Sequence, residues 1–466
     1  MAAAFTALQL LTVRVGFHRD ELYFLACARR LAWGYVDQPP LTPFLARLSL
    51  EVFGPWPAGL RLVPALAGAA TAVVTGLIAR ELGAGPRLQV LAAAIMAGSA
   101  LSLGVHHLIS TTSTDYLLWA VALLVVTRLL RTGRPRLWLA FGAVCGVGLL
   151  NKHTVLFLGL GVVAGVALNP ARRLLASPWL VAGGLLALAI WAPNLLWQVQ
   201  NGWPTLGMLG ALADRNDGLA LTLRFIPDTL LMQGVTAALW PGGLWWLLRD
   251  RRFAALGLGW LVAFAVLFTL GGRSYYLGGM FPPLFAAAAA GAGRALGHGR
   301  RLWSAREGFR LAALGLLAAP LALPILPVTV PVDVTGQIRE QYGWPEVAAT
   351  VAGVRDGLPP GERDDVVVLA KDYGLAGAVE WYGPDLDLPV PISGHNGYGL
   401  WGPGDAAGTT IAVGYRPDEL AGLCDEAVLA ATVRLPVSNL AQGAPVSVCE
   451  PSAPWAGQWD RVRYVR

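Results

Sequence analysis

Apolar residues run in long blocks along this chain, and short polar clusters separate them. Windows of about 19 residues, the length that reads out a membrane helix, place apolar segments near 3–17, 60–80, 88–106, 113–130, 137–150, 154–170, 178–197, 226–248, 253–271, 276–293 and 311–330. The pattern predicts an α-helical polytopic membrane protein with 11 transmembrane helices. The 137–150 segment falls short of the roughly 20 residues that cross a bilayer, so a tilted or partial helix is expected there. Residues 3–17 read as a first membrane helix rather than a cleavable signal peptide, because no small-residue cleavage site follows them.

The pattern changes after 330. VTGQIREQYGWPEVAATVAGVR reads as a helix, VVVLAKDYGLAGAVEWYG as a strand then a helix, and TTIAVGY as another strand. Alternating elements of this kind build a small α/β domain. The expected organisation is a membrane core over 1–330, whose first large loop is 17–60, and a C-terminal α/β domain over 331–466.

Composition supports this division. Apolar residues make up 55% of the chain and charged residues only 14%, against about 25% charged in soluble domains. The net charge of +6 does not point to nucleic acid, because the basic residues sit in short clusters between apolar runs rather than along one face. Those clusters set an orientation. The loops around 80–87, 128–136, 172–173, 249–252 and 294–310 hold 16 Lys and Arg, and the alternate loops hold nine. Lys and Arg collect on the cytoplasmic side, so the 17–60 loop and the C-terminal domain are expected outside. Cys424 and Cys449 then lie on the oxidising side, where a structural disulfide and two free thiols are both open readings.

The orientation brings scattered polar residues to one face. Asp20, Glu21, Asp37 and Gln38 fall on the first outer loop; His106, His107 and Asp115 fall at the next outer junction. Asn151, Lys152 and His153 form an outer turn. Gln198, Asn201, Asp214 and Asn216 lie on a later outer loop, and Arg273, Tyr275 and Tyr276 follow the ninth segment. Ionisable groups at bilayer depth are costly and line aqueous sites. Plainer readings stay open. Asp20 and Glu21 suit a helix N-terminus, Asp115 suits an N-cap, and Lys152 with His153 suits a snorkelling pair. No HxxxH or CxxC spacing supports a metal site, and no Walker A or GxSxG motif supports nucleotide or hydrolase chemistry.

RDELYFLACARRLAWGYVDQPPLTPFLARL, STTSTDYLLW, GLLNKHTVLF, NLLWQVQNGWPTL and GGRSYYL occur in this order. Together they resemble the type C (GT-C) membrane glycosyltransferases, in the family 39-like group of dolichyl-phosphate-mannose-protein mannosyltransferases and aminoarabinose lipid A transferases. The resemblance covers roughly 15–290. It implies a GT-C fold in the bacterial plasma membrane, a polyprenyl-phosphate-linked sugar donor, and an acceptor hydroxyl on the outer face (of lipid, polysaccharide or protein). Asp20 would be the base, Glu21 its neighbour that orients it or raises its pKa, and Asp115 a second acid assisting acceptor or metal binding. Lys152, Arg273 and Tyr276 would bind the donor phosphate. Asp37, Gln38, His107, His153 and Asn201 are candidate substrate-binding residues, and Asp37 could also help hold a divalent cation. Gln38 departs from the group, because lipid A-modifying relatives carry Lys before Pro-Pro. That departure puts phosphate contact at this position, and lipid A as acceptor, in doubt.

The rival reading is a transporter or flippase of a lipid-linked saccharide. Transporters show paired repeats and polar groups reaching both faces; this sequence shows no clear repeat and favours one face.

Overall fold

The computed structural model describes residues 2–213, 218–295, 317, 319–327 and 337–465. Asp214, Asn216, most of the 294–310 loop, half of the 311–330 segment and the 331 boundary lie outside the described residues.

The apolar blocks fold as helices: α1 (Ala2–Leu11), α2 (Arg19–Arg29), α3 (Leu41–Phe53), α4 (Pro57–Glu81), α5 (Pro86–Ala97), α6 (Ala100–Val105), α7 (Thr111–Thr132), α8 (Leu137–Leu149), α9 (Val155–Ala167), α10 (Pro178–Gln200), α11 (Pro204–Ala213), α12 (Gly218–Leu231), α13 (Trp240–Arg249), α14 (Ala254–Thr269) and α15 (Phe281–Ala295). Local chemistry sets their ends. Pro57 opens α4 at the position where a missing N–H costs nothing, and Gly133, at φ 64°, closes α7 in a left-handed turn.

Three of these helices, α4, α7 and α10, are long and apolar enough to cross a membrane alone, and α9 with its bent 3-10 continuation makes a fourth. Several expected spans are instead built from shorter pieces. The 88–106 segment breaks into α5 and α6 at Gly98, where the Ser99 side chain caps the new helix by accepting from the Ser102 N–H. The 226–248 segment breaks at Gly234, whose φ of 59° is left-handed. The first segment is helical only to Leu11. Asp115 is not an N-cap: Ser110 fills that role for α7, in a reciprocal pair with Ser113.

A continuous apolar core runs through the bundle, with Trp119, Trp138, Trp240, Trp260, Phe281 and Phe285 at its centre. A second core belongs jointly to the first loop and the C-terminal domain. Leu22, Leu25, Ala26 and Ala28 of α2 pack with Trp344, Val347 and Val351 of α16 (Trp344–Asp356) and with Leu375, Ala376 and Val379 of α17 (Tyr373–Tyr382).

The domain's sheet has the order β1-β2-β4-β3, from β1 (Val367–Ala370), β2 (Thr410–Val413), β3 (Cys424–Thr432) and β4 (Pro445–Pro451). β1 and β2 run parallel, and the other pairs are antiparallel. The expected strand-helix and strand are β1-α17 and β2; the β3-β4 hairpin was not anticipated. Cys424 and Cys449 form a disulfide within that hairpin.

Candidate active site

The first loop meets the C-terminal domain at the N-terminus of α2. His18 caps this helix: its Nδ1 accepts from the Asp20 N–H, and Glu21 Oε2 accepts from the His18 N–H at 2.9 Å. Successive helical positions point about 100° apart, so the two neighbouring acids serve different places. Glu21 is fully buried and clamped by Arg61, with Arg61 Nη2 to Glu21 Oε2 at 2.7 Å and the Ile109 N–H on Oε1 at 3.2 Å. The Glu21 carboxylate is thus taken up by Arg61 and by the His18 and Ile109 N–H groups rather than by Asp20. The Asp20 side chain stays 46% exposed and accepts a hydrogen bond from Tyr373 Oη at 2.8 Å.

A cation stands in another part of the bundle. The turn 150–154 is pinned by Asn151, whose Nδ2 donates to the Thr111 carbonyl and whose Oδ1 accepts from Thr42. Lys152 projects from that turn. Its Nζ donates to Thr112 Oγ1 at 2.8 Å and stands 4.8 Å from the Tyr276 ring centroid and 5.4 Å from that of Tyr275. Asp115 lies one turn beyond Thr112 on α7 and within electrostatic reach of Lys152. Its carboxylate accepts from Thr154 and Trp119, so it braces the turn that carries Lys152.

Tyr275 joins the two halves. Burial first, then its contact with Tyr276, pushes the Tyr275 phenol well above its ordinary value; Arg273 draws it back and Asp20 pushes it further. Tyr276 and Lys152 thus pack on the Tyr275 ring, and Arg273 and Asp20 lie within electrostatic reach of it. Arg273 itself is exposed.

Asp37 borders the same space, within electrostatic reach of Asp20. Tyr23 Oη donates to it at 2.8 Å. Burial raises the Asp37 carboxyl to about 6, the Tyr23 hydrogen bond opposes the shift, and Asp20 adds to it. The sign follows from linkage. An acid that binds its proton more tightly when folded favours the fold most below its unfolded value of about 3.9, and that contribution is lost as pH rises through about 6. Asp37→Asn is therefore expected to be more stable than the parent near pH 7.5 by about 1–3 kcal/mol, with the difference closing near pH 4. Thermal unfolding at both pH values checks this; a gap that ignores pH would contradict it. Among the described residues no three His, Cys, Asp or Glu side chains converge as ligands, and Asp37 is already engaged by Tyr23.

Four candidates are not part of the cluster these contacts define. Gln38 is buried, with its Nε2 toward Cys27 Sγ at 3.9 Å, so its side chain belongs to the packing of α2. His107 is buried against Gln9, Nδ1 to Oε1 3.2 Å. His153 lies edge-on to Trp191 of α10, 5.7 Å between centroids. Asn201 bonds back to the Trp197 carbonyl at the end of its own helix. α10 also holds the first loop in place: Asn194 Nδ2 donates to the Trp33 carbonyl at 2.7 Å, and a Cβ on Gly34 would meet Trp197 at 2.4 Å. Arg61, Thr112, Thr154 and Tyr373 were missed by sequence reasoning. Arg61 counted there only as an outward charge, and nothing local marks the other three.

Residues 37–197 match the profile of the family described as dolichyl-phosphate-mannose-protein mannosyltransferase. Over 195 residues the chain is 29% identical to the lipid A galacturonosyltransferase RgtD of Rhizobium johnstonii. That alignment spans 40% of this chain and only 39% of the relative. The crystal structure of ArnT from Cupriavidus metallidurans in the apo state superposes with a TM-score of 0.61 at 18% identity, over 96% of both chains. The same ArnT bound to undecaprenyl phosphate superposes with a TM-score of 0.61 at 17% identity, over 97% of both. A helical core and a small C-terminal sheet domain give this chain the fold of ArnT, and its segment 37–197 is similar in sequence to the dolichyl-phosphate-mannose-protein mannosyltransferases.

Proposed function

We propose that the protein transfers a sugar from a polyprenyl-phosphate donor to an acceptor hydroxyl, on the outer face of a bacterial plasma membrane. The observation that carries this reading is the gathering of one half-exposed carboxylate, Asp20, with Lys152, Arg273 and Tyr276 around Tyr275. The acceptor oxygen attacks the anomeric carbon and its proton passes to Asp20. The bond between that carbon and the phosphate oxygen breaks, its electron pair leaves with the polyprenyl phosphate, and the anomeric configuration inverts. Charge grows on the leaving phosphate, so fixed cations and hydrogen-bond donors there act selectively on the transition state. Lys152, Arg273 and Tyr276 are assigned that task. Asp115 acts by bracing the Lys152 turn.

A lipid-linked donor needs a path for its chain. Leu31, Ala32, Trp33, Pro40, Leu41, Phe44 and Leu150 line an apolar cavity of about 430 Å³. Leu150 is two residues from Lys152, and its carbonyl accepts from the Leu41 N–H. A polyprenyl chain in this cavity would bring its phosphate toward Lys152. The undecaprenyl phosphate held by ArnT is consistent with a donor of this class, and the acceptor is a hydroxyl of lipid, polysaccharide or protein.

Lys152→Ala is expected to lower kcat/KM for donor about tenfold or more, with kcat falling because the charge on the leaving phosphate loses a partner in the transition state; donor titration against purified protein checks it. An unchanged KM and kcat would remove Lys152 from the phosphate role. The whole reading is tested with protein in liposomes containing a radiolabelled polyprenyl-phosphate sugar. Label reaching an acceptor supports transfer. Label crossing the bilayer without transfer makes the protein a flippase, and neither outcome leaves a glycan-binding role.

A further inference from the structure

The C-terminal domain touches the candidate base directly. Tyr373 is the first residue of α17, and Asp372 caps that helix by accepting from the Gly374 and Leu375 N–H groups. The N-termini of α2 and α17 face each other here. The Arg19 guanidinium lies over the Tyr373 ring at 4.6 Å, and its Nη2 is 3.9 Å from Asp372 Oδ1. Close approach of the helices depends on Gly377, where a Cβ would stand 2.9 Å from Leu22 Cβ.

The Tyr373 ring is held on several sides. It lies 5.0 Å from the Tyr23 ring and 5.0 Å from His395, and its N–H donates to His395 Nδ1 at 3.2 Å. Burial, then the charge of Asp20, pushes its phenol well above the ordinary value, so it stays protonated and donates. Asp20 is otherwise loosely held: Arg19 and His18 approach it only at 4.0 Å.

We propose that Tyr373 is a positioning residue that fixes the Asp20 carboxylate for proton transfer, so that the C-terminal domain completes the active site of the membrane core. The proposal rests on the role given above to Asp20. One carboxylate oxygen is committed to the Tyr373 hydroxyl and the other is left for the acceptor proton. The domain then contributes to the rate of the chemical step rather than to donor binding.

The test uses full-length protein and three forms: parent, Tyr373→Phe and Tyr464→Phe. Phe keeps the ring in its packing, and unchanged melting verifies the fold. Tyr464 is the control: its hydroxyl donates to the Lys371 carbonyl and its ring stacks on His395, one layer from Asp20. The first readout needs no substrate. Carbodiimide-coupled amine labelling of Asp20, read by mass spectrometry, is expected to rise about threefold or more in Tyr373→Phe and to stay level in Tyr464→Phe, because loss of the Tyr373 hydroxyl frees the carboxylate oxygen it occupies for the reagent. The second readout is transfer. Tyr373→Phe is expected to lower kcat about 10–100-fold at unchanged donor KM, the scale of a small misplacement at a reacting centre. Parent-like labelling and turnover in Tyr373→Phe overturns the proposal, as does equal behaviour of the two variants. Raised labelling together with a parent that transfers no sugar overturns the glycosyltransferase reading and leaves the Tyr373–Asp20 contact standing.

Discussion

Asp20→Asn is expected to lower sugar transfer by about 10²–10⁴-fold, the range assigned to general-base help, while the protein folds and inserts as the parent does. The amide has the size of the carboxylate and can still accept from Tyr373, so the cap, the α2–α17 contact and the donor pocket all remain. What is lost is a group that can take a proton. Because the donor phosphate is assigned to Lys152, Arg273 and Tyr276, donor KM should change little and the loss should fall on kcat. Single-turnover transfer with a defined polyprenyl-phosphate sugar measures this. Near-parent turnover by a folded Asp20→Asn protein would reject Asp20 as the base.

Glu21→Ala, one residue along, should fail in a different way. Glu21 and Arg61 are 0% and 1% exposed, and the carboxylate also takes the His18 and Ile109 N–H groups. Removing it leaves a buried guanidinium with the Gly16 carbonyl but no carboxylate, and two backbone donors unpaired, a change worth about 3–5 kcal/mol. The expected result is a midpoint of thermal unfolding several degrees lower in detergent, with poor yield. Replacing both partners, Glu21→Leu with Arg61→Met, should recover part of the loss, because an apolar pair of similar volume removes the uncompensated charge. A Glu21→Ala protein as stable as the parent would mean that the pair contributes nothing to the fold.

The contrast between these neighbours shows how far the sequence could be read. Both acids were visible as an oddity of placement, and the face they share with Lys152, Arg273 and Tyr276 followed from charge counts. Their division of labour was not legible, because it depends on Arg61, 40 positions away, and on Tyr373, 353 positions away. Helix order was readable because long apolar runs dominate. The breaks at Gly98 and Gly234 were not, since a single glycine inside an apolar run leaves mean hydropathy almost unchanged. The β3-β4 hairpin escaped for a related reason. β3 is exposed at most positions, so it lacks the alternation that marks a half-buried strand. Gln38 was singled out by comparison with relatives, yet its side chain is buried on Cys27; a motif position alone does not say which way a side chain turns.

The core shared by α2 and the C-terminal domain has a consequence for biosynthesis. Ribosomes finish α2 more than 300 residues before they reach α16 and α17. Through all that time the part of α2 that packs on the C-terminal domain lacks that partner, and only α3 and its neighbours in the early chain lie against the helix. Assembly therefore cannot proceed strictly from the first segment to the last, and the earliest loop reaches its final environment only when the chain is nearly complete. A nascent chain stalled after the bundle would hold most of the proposed catalytic groups and still lack the C-terminal surface on which α2 packs.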